Sequence, residues 1–190
     1  MNDALALLEF DSVASGLAAL DTMVKQAPIE VLEANLVEPG KFLILYTGGV
    51  AEVGESHQRV MDGFAERIHS EMLLPMVHGG LVDGLRGVEH GSVKDALGVI
   101  EGTDVASTLL SADAALKGAD VELVGIRVAI GLGGRAYYLV SGAQHDVQAS
   151  IDAATAVLEP RGRLHRTELI ARPHAEMVVW LLRPAPFRVG

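Results

Sequence analysis

The sequence predicts an α/β (α+β) chain made of two tandem units of one design, each ordered β-α-β-β-α-β, and three observations lead there. The first is a repeat: Ala4-Leu5-Ala6-Leu7-Leu8-Glu9 followed by Val13-Ala14-Ser15 recurs as Ala96-Leu97-Gly98-Val99-Ile100-Glu101 followed by Val105-Ala106-Ser107. The same register sets Asp21 on Asp113, Lys25 on Lys117, Ala27 on Ala119 and Glu30 on Glu122. A two-residue insertion in the second copy then brings Gly40-Lys41 onto Gly134-Arg135 and Thr47-Gly48 onto Ser141-Gly142, and a further slip of two sets Leu74 on Ile170 and His78 on His174. The second is length: 190 residues give each copy about 90, enough for a modest core of its own. The third is the alternation of short apolar runs with stretches of helical period. Copies this long are not the stacked repeats of a solenoid; they suggest two small domains that replace two subunits of a symmetric ring.

Each element follows from local chemistry. Residues 4 to 10 and 96 to 102 are short, mostly apolar runs, as buried strands require. From Val13, the spacing of Val13, Leu17, Leu20 and Val24 predicts a helix capped by Asp11 or Ser12; Val105, Leu109, Ala112 and Leu116 repeat it behind Thr103 or Asp104. Each helix ends near a lysine, Lys25 or Lys117, which suits the negative end of the helix dipole, and Pro28 or Asp120 then breaks the pattern. Two β-rich runs follow, 29 to 37 and 41 to 47, then 121 to 130 and 135 to 141. They are joined by the turn signals Glu38-Pro39-Gly40 and Gly131-Leu132-Gly133-Gly134. A second helix is expected at 50 to 69 and 145 to 158, and a last strand at 71 to 77 and 164 to 171. This order is the split pattern of ferredoxin-like folds. Residues 79 to 94 read as a glycine-rich linker with room for one short helix, and 179 to 190 as a C-terminal tail, which leaves 3 to 78 and 95 to 178 as the two domains.

Composition narrows the function. Hydrophobic residues make up 49% of the chain without any apolar run of membrane-spanning length, and Met1-Asn2-Asp3 shows no secretory signal. The absence of cysteine excludes disulfides, cysteine nucleophiles, thiolate zinc sites and a cysteine-held iron–sulfur cluster. A net charge of -10 and 4% aromatic content argue against nucleic acid as a partner. So much Ala, Val and Leu in so small a domain implies that part of the apolar surface lies between subunits.

No constellation reads as catalytic. Gly131-Leu132-Gly133-Gly134 joins two strands, whereas a phosphate-cradling loop needs a strand before it and a helix after it. A tight turn lining an axis, where glycine allows close backbone approach, is the better reading. The seven histidines include no His-Glu-x-x-His, so no metal site is expected. His78 and His174 hold matched positions after the last strands, which favours a structural role, and Ser15 lies inside a helix without a nucleophile elbow. Glu9 and Glu101 could be imagined as an acid and base pair, but their repetition argues for capping or interface hydrogen bonding.

Taken together, these pieces resemble the shell domain of bacterial microcompartments (BMC). They are the opening Ala-Leu-x-x-x-Glu strand, the helix ending in Lys25-Gln26-Ala27 or Lys117-Gly118-Ala119, the Val121-Glu122-Leu123-Val124 strand, the turn, and the closing Ile170-Ala171-Arg172-Pro173-His174. Because both copies open on the strand that begins the unpermuted domain, the chain is most similar to the tandem-domain, single-layer trimeric shell proteins of that family. The resemblance implies a homotrimer whose six domains form a flat pseudohexameric tile that packs edge to edge with hexameric tiles and passes metabolites through a pore on the threefold axis. It implies a cytoplasmic structural protein with neither enzymatic activity nor cofactor, and without a membrane or nucleic-acid partner. It assigns pore lining to Val37, Glu38, Pro39 and Gly40 and to Ile130, Gly131, Leu132, Gly133 and Gly134. It assigns the tile edge to Lys25, Lys117, Arg172, Pro173 and His174, with His78 in the first copy, where Met76-Val77-His78 departs from Arg-Pro-His and should give a differently shaped edge.

In the trimeric tandem-domain type from propanediol-utilisation compartments, which the chain most resembles, a cysteine precedes this Pro-Gly-Lys, and three such cysteines hold an iron–sulfur cluster in the pore. Here the position is Glu38, so that electron-carrying role is not expected. Three carboxylates around one axis would repel one another and favour a cation, giving a pore that prefers neutral or positive solutes. The competing reading from a different class is a regulatory protein that binds a small-molecule effector between duplicated ferredoxin-like domains.

Overall fold

The computed structural model describes residues 4–88, 92–129 and 131–181, and the chain divides into two compact units between Val77 and His78. The first unit runs β1 (Ala4–Phe10), α1 (Val13–Gln26), β2 (Glu30–Val37), β3 (Lys41–Gly48), α2 (Val50–Phe64), a single 3-10 turn (Ala65–Arg67) and β4 (Ile68–Pro75). The second runs α3 (Gly79–Leu85), β5 (Ala96–Gly102), α4 (Val105–Gly118), β6 (Glu122–Val128), β7 (Ala136–Gly142), α5 (Gln144–Leu158), β8 (Leu164–Ala171) and α6 (Ala175–Leu181). Their sheets have one topology, β2-β3-β1-β4 and β6-β7-β5-β8, antiparallel throughout. Even the irregularities repeat: the register slips after Glu9 and after Glu101, and again between Val31 and Glu33 and between Leu123 and Gly125.

The apolar opening run becomes an inner strand, and all of β1 is buried. Its alternate residues Ala4, Ala6, Leu8 and Phe10 join Ile44 and Tyr46 of β3 and Met23, Val53 and Val60 of the helices in one core. The helix starts read from sequence resolve to one cap in each pair. Ser12 Oγ accepts from Ser15 N–H at 3.4 Å, and Asp104 Oδ1 accepts from Ser107 N–H at 2.7 Å.

Two boundaries differ from expectation. The helix expected over 50 to 69 stops at Phe64, whose φ of -134° leaves the helical region while its ring packs edge-on against Phe10 at 6.4 Å. The last strand of the first unit therefore begins at Ile68, opposite Phe10, and Met76 ends it at a φ of 56°. Within the stretch read as linker, α3 packs against α4 and β6, and within the C-terminal region α6 lays Met177 and Leu181 on the outer sheet cluster of Leu97, Val124 and Leu139.

Candidate functional site

The two β-hairpin turns assigned to the pore are built differently. In the first, Val37 pairs with Lys41 and is buried, Gly40 N–H donates to Val37 O at 3.0 Å, and Glu38, Pro39 and Gly40 are exposed around a cis Glu38–Pro39 bond. In the second, Ala129 O accepts from Leu132 N–H at 3.2 Å and from Gly134 N–H at 3.4 Å, while Ala129 N–H donates to Arg135 O at 2.8 Å. Gly131 and Gly133 are exposed, Leu132 is half-buried and Gly134 buried; Ile130 lies outside the described residues. Glycine is needed there for its backbone: φ is 91° at Gly40, 74° at Gly131 and 62° at Gly133, yet a Cβ at any of these would meet nothing within 4 Å. Within one chain, then, the left-handed conformation and not a close approach explains these glycines.

At the foot of each turn stands a carboxylate with a basic group that sequence reading did not combine. Glu9 is 1% exposed and lies 3.7 Å from Lys41 Nζ. In the second unit Glu101 lies 3.9 Å from His165 Nε2, which is 3.3 Å from Arg135 Nη1. The side-chain cap bonds at the starts of α1 and α4, the helices that follow these strands, come from Ser12 and Asp104 and not from the glutamates. Glu9 and Lys41 are 32 residues apart and His165 lies in the last strand, so only the antiparallel pairing brings such groups together. The signal available beforehand was the match of His69 to His165 and of Lys41 to Arg135 between copies.

The residues assigned to the edge are also placed by the repeat. Lys25 Nζ is 2.6 Å from Asp21, an exposed pair, and Lys117 Nζ is 2.6 Å from Asp113, whose side chain is 7% exposed. Asp113 also accepts from the backbone N–H of His78 at 2.8 Å, so Lys117, Asp113 and His78 meet in the second unit. The imidazole of His78 accepts from Gly80 N–H at 3.2 Å and that of His174 from Glu176 N–H at 3.3 Å, so both fix the start of a short helix. Met76 and Arg172 share a left-handed bend, φ 56° and 49°, although one offers a thioether and the other a guanidinium. Arg172 N–H donates to Asp95 O at 2.7 Å, and Pro173 beside it is half-buried.

One polar chain, buried at Tyr46 and His57 and ending on the exposed Glu71, belongs to the first unit alone. The hydroxyl of Tyr46 is 2.7 Å from His57 Nδ1, and His57 Nε2 is 2.8 Å from Glu71 Oε2; the matched positions hold Val140, Ile151 and Thr167. Burial, reinforced by the charge of Glu71, pushes the Tyr46 phenol well above its usual range. Burial does the same to Tyr138, against the opposing hydrogen bond from Ser111. Among the described residues no cluster of His, Asp and Glu could hold a metal ion, and no helix is long and apolar enough to cross a membrane. The thiolates that an iron–sulfur cluster would need are missing from the whole sequence, so the donor set does not fit one.

The repeat architecture is matched by known proteins. The BMC domain family matches residues 4–77 and 96–173, one stretch in each unit. The chain is 30% identical over 177 residues to the bacterial microcompartment shell protein PduT of Citrobacter freundii, covering 93% of this chain and 96% of that one. It is 35% identical over 83 residues to the shell protein EutM of Escherichia coli K12, covering 44% of this chain and 84% of EutM, as expected for one domain set against two. A microcompartment protein from Desulfitobacterium hafniense superimposes with a TM-score of 0.86 at 33% identity over 92% of this chain and 97% of its own. The fused permuted hexameric shell protein of the RMM microcompartment shares the fold at a TM-score of 0.60 and 20% identity, over 83% of this chain and 84% of its own. Two copies of one domain, each with its own sheet and together spanning nearly the whole of PduT, make this chain a tandem-domain bacterial microcompartment shell protein of the BMC domain family.

Proposed function

We propose that three copies of this chain close into a six-domain plate in the shell of a cytoplasmic microcompartment, that the plate abuts hexameric tiles, and that metabolites cross it through a central pore. The observation that carries this reading is the double match to the BMC domain in one polypeptide, with 30% identity along nearly all of a named shell protein. On this reading domains of residues 3 to 78 and 95 to 178 are the wedges, 79 to 94 joins them and 179 to 190 is a tail. The hairpin tips at Glu38-Pro39-Gly40 and Gly131 to Gly134 surround the hole, and Lys25, Lys117, Arg172, Pro173, His174 and His78 lie along the rim. The protein works by interface complementarity and carries no catalytic residue.

Glu38 decides the character of the hole. Glu38 is an exposed residue at the tip of the first hairpin, and three carboxylates around one axis would repel anions and attract cations. Flux of matched anionic and cationic solutes through assembled sheets should lose its charge preference in Glu38→Gln. An unchanged preference would remove Glu38 from the pore. Co-assembly with a single-domain hexameric shell protein, imaged as mixed sheets, tests the tile itself; sheets that exclude this chain would contradict it.

A further inference from the structure

The two units differ in what covers the groove between their first helix and outer strand. In the second unit α3 lies against α4 and β6, and Leu109, Leu116, Leu123 and Ile126 along that groove are at most 9% exposed. The matched positions in the first unit are open: Leu17 is 52% exposed, Val24 47%, and Val31 and Ala34 are half-buried. α3 is the segment that follows the first copy. The segment that follows the second copy is α6, which begins at His174 as α3 begins at His78.

We infer that α6 of one chain docks in the α1–β2 groove of a second copy of this chain, as α3 sits in the α4–β6 groove, and that Trp180 is the side chain that fills it. The packing of α3 shows why. Gly84 faces β6 so closely that a Cβ there would stand 2.5 Å from Leu123 Cδ2 and 3.6 Å from Ile126 Cγ2. The position matched to Gly84 is Trp180, and the positions matched to Leu123 and Ile126 are Val31 and Ala34. Glycine against two large residues is exchanged for tryptophan against two smaller ones, the exchange that keeps a packed volume filled. Trp180 is on the correct side of α6 for this: Met177 and Leu181 rest on their own sheet, while Val179 is 65% and Trp180 63% exposed.

A polar contact repeats alongside. His78 N–H donates to Asp113, and the matched pair is His174 with the exposed Asp21, so the docked segment gains a backbone hydrogen bond to the next chain's Asp21. Such a contact is head-to-tail and must close into a ring or run on as a filament. It rests on the shell-tile reading, which supplies the closure, and specifies which surfaces close it.

Trp180 is the only tryptophan, so its fluorescence reports the groove directly. In the assembled wild-type particle its emission should be blue-shifted and shielded from iodide, and both changes should reverse on dilution to single chains. Trp180→Gly should raise the concentration at which the particle dissociates by about tenfold or more. Adding Val31→Leu and Ala34→Ile to Trp180→Gly, which recreates the second unit's groove, should restore assembly. A three-chain particle whose Trp180 is as open to iodide as in the single chain, or one that Trp180→Gly leaves equally stable, overturns the docking while leaving the tile reading intact. Failure of the triple variant to recover overturns the pairing with Val31 and Ala34. A chain that never associates overturns both.

Discussion

The two units share a backbone but divide their core volume in opposite ways. Where the first has Phe10, Gly16 and Phe42, the second has Gly102, Thr108 and Ala136. A Cβ on Gly16 would come within 2.8 Å of the Phe42 side chain, and one on Gly102 would overlap the Thr108 hydroxyl. Deeper in the sheet, Ala6, Tyr46 and His57 are matched by Gly98, Val140 and Ile151, and a Cβ on Gly98 would stand 2.9 Å from Val140 Cγ2. Strand order and register, not the residue or the side-chain volume at any one of these sites, are what both copies preserve. The first unit also has Tyr46 and His57 where the second has Val140 and Ile151, so its core depends on a hydrogen-bonded chain, ending on the exposed Glu71, that the second unit does not repeat at those positions.

The largest test of this comparison is Phe42→Ala, which opens a cavity in the first core and should cost about 3–5 kcal/mol in urea unfolding. Gly16→Thr, the second unit's choice in the first unit's frame, should cost about 1–3 kcal/mol by overpacking. The two changes together should cost clearly less than their sum, because each makes room for or fills the other; strict additivity would show that the two units do not exchange volume at this place. His57→Ala comes next, at about 1–3 kcal/mol, since it strands a buried phenol. Tyr46→Val with His57→Ile, which copies the apolar pair of the second unit, should recover most of that loss.

The buried phenols set a third expectation. Tyr46 and Tyr138 hold their protons above the ordinary tyrosine value of 10.0, so their contribution is complete below that pH. Above it the unfolded chain ionises first and stability falls as pH rises. Tyr46→Phe or Tyr138→Phe should each flatten that alkaline decline in melting temperature; an equally steep decline in both would show that these phenols ionise normally. The smallest effect belongs to Lys25→Ala, within about 0.5 kcal/mol for an exposed pair. Lys117→Ala should exceed it, because it leaves Asp113 with less support where the side chain is buried.

Much of the fold was legible because its signals are local. The limits of β1 and β5 and the starts of α1 and α4 could be read from apolar runs, from helical spacing and from a capping side chain at a fixed offset. The end of α2 could not be read, because Phe64 leaves the helix to pack on Phe10, a contact across the unit. α3 and α6 are too short to show a period, and Gly79, Gly80 and Gly84 disguise the former as loop. Of the candidate site residues, the turn glycines were visible in their dipeptides. Glu9 with Lys41 and His57 with Glu71 were not, since strand pairing and helix packing decide which distant residues face one another.

The claim on which the rest depends is that one chain supplies two adjacent wedges of a closed ring. Native mass spectrometry of the purified protein, with class averages of the same sample by electron microscopy, tests it directly. Three chains of 20.0 kDa in one particle with threefold symmetry and a six-lobed outline is the predicted result. A stable single chain, or a twofold dimer, would contradict it.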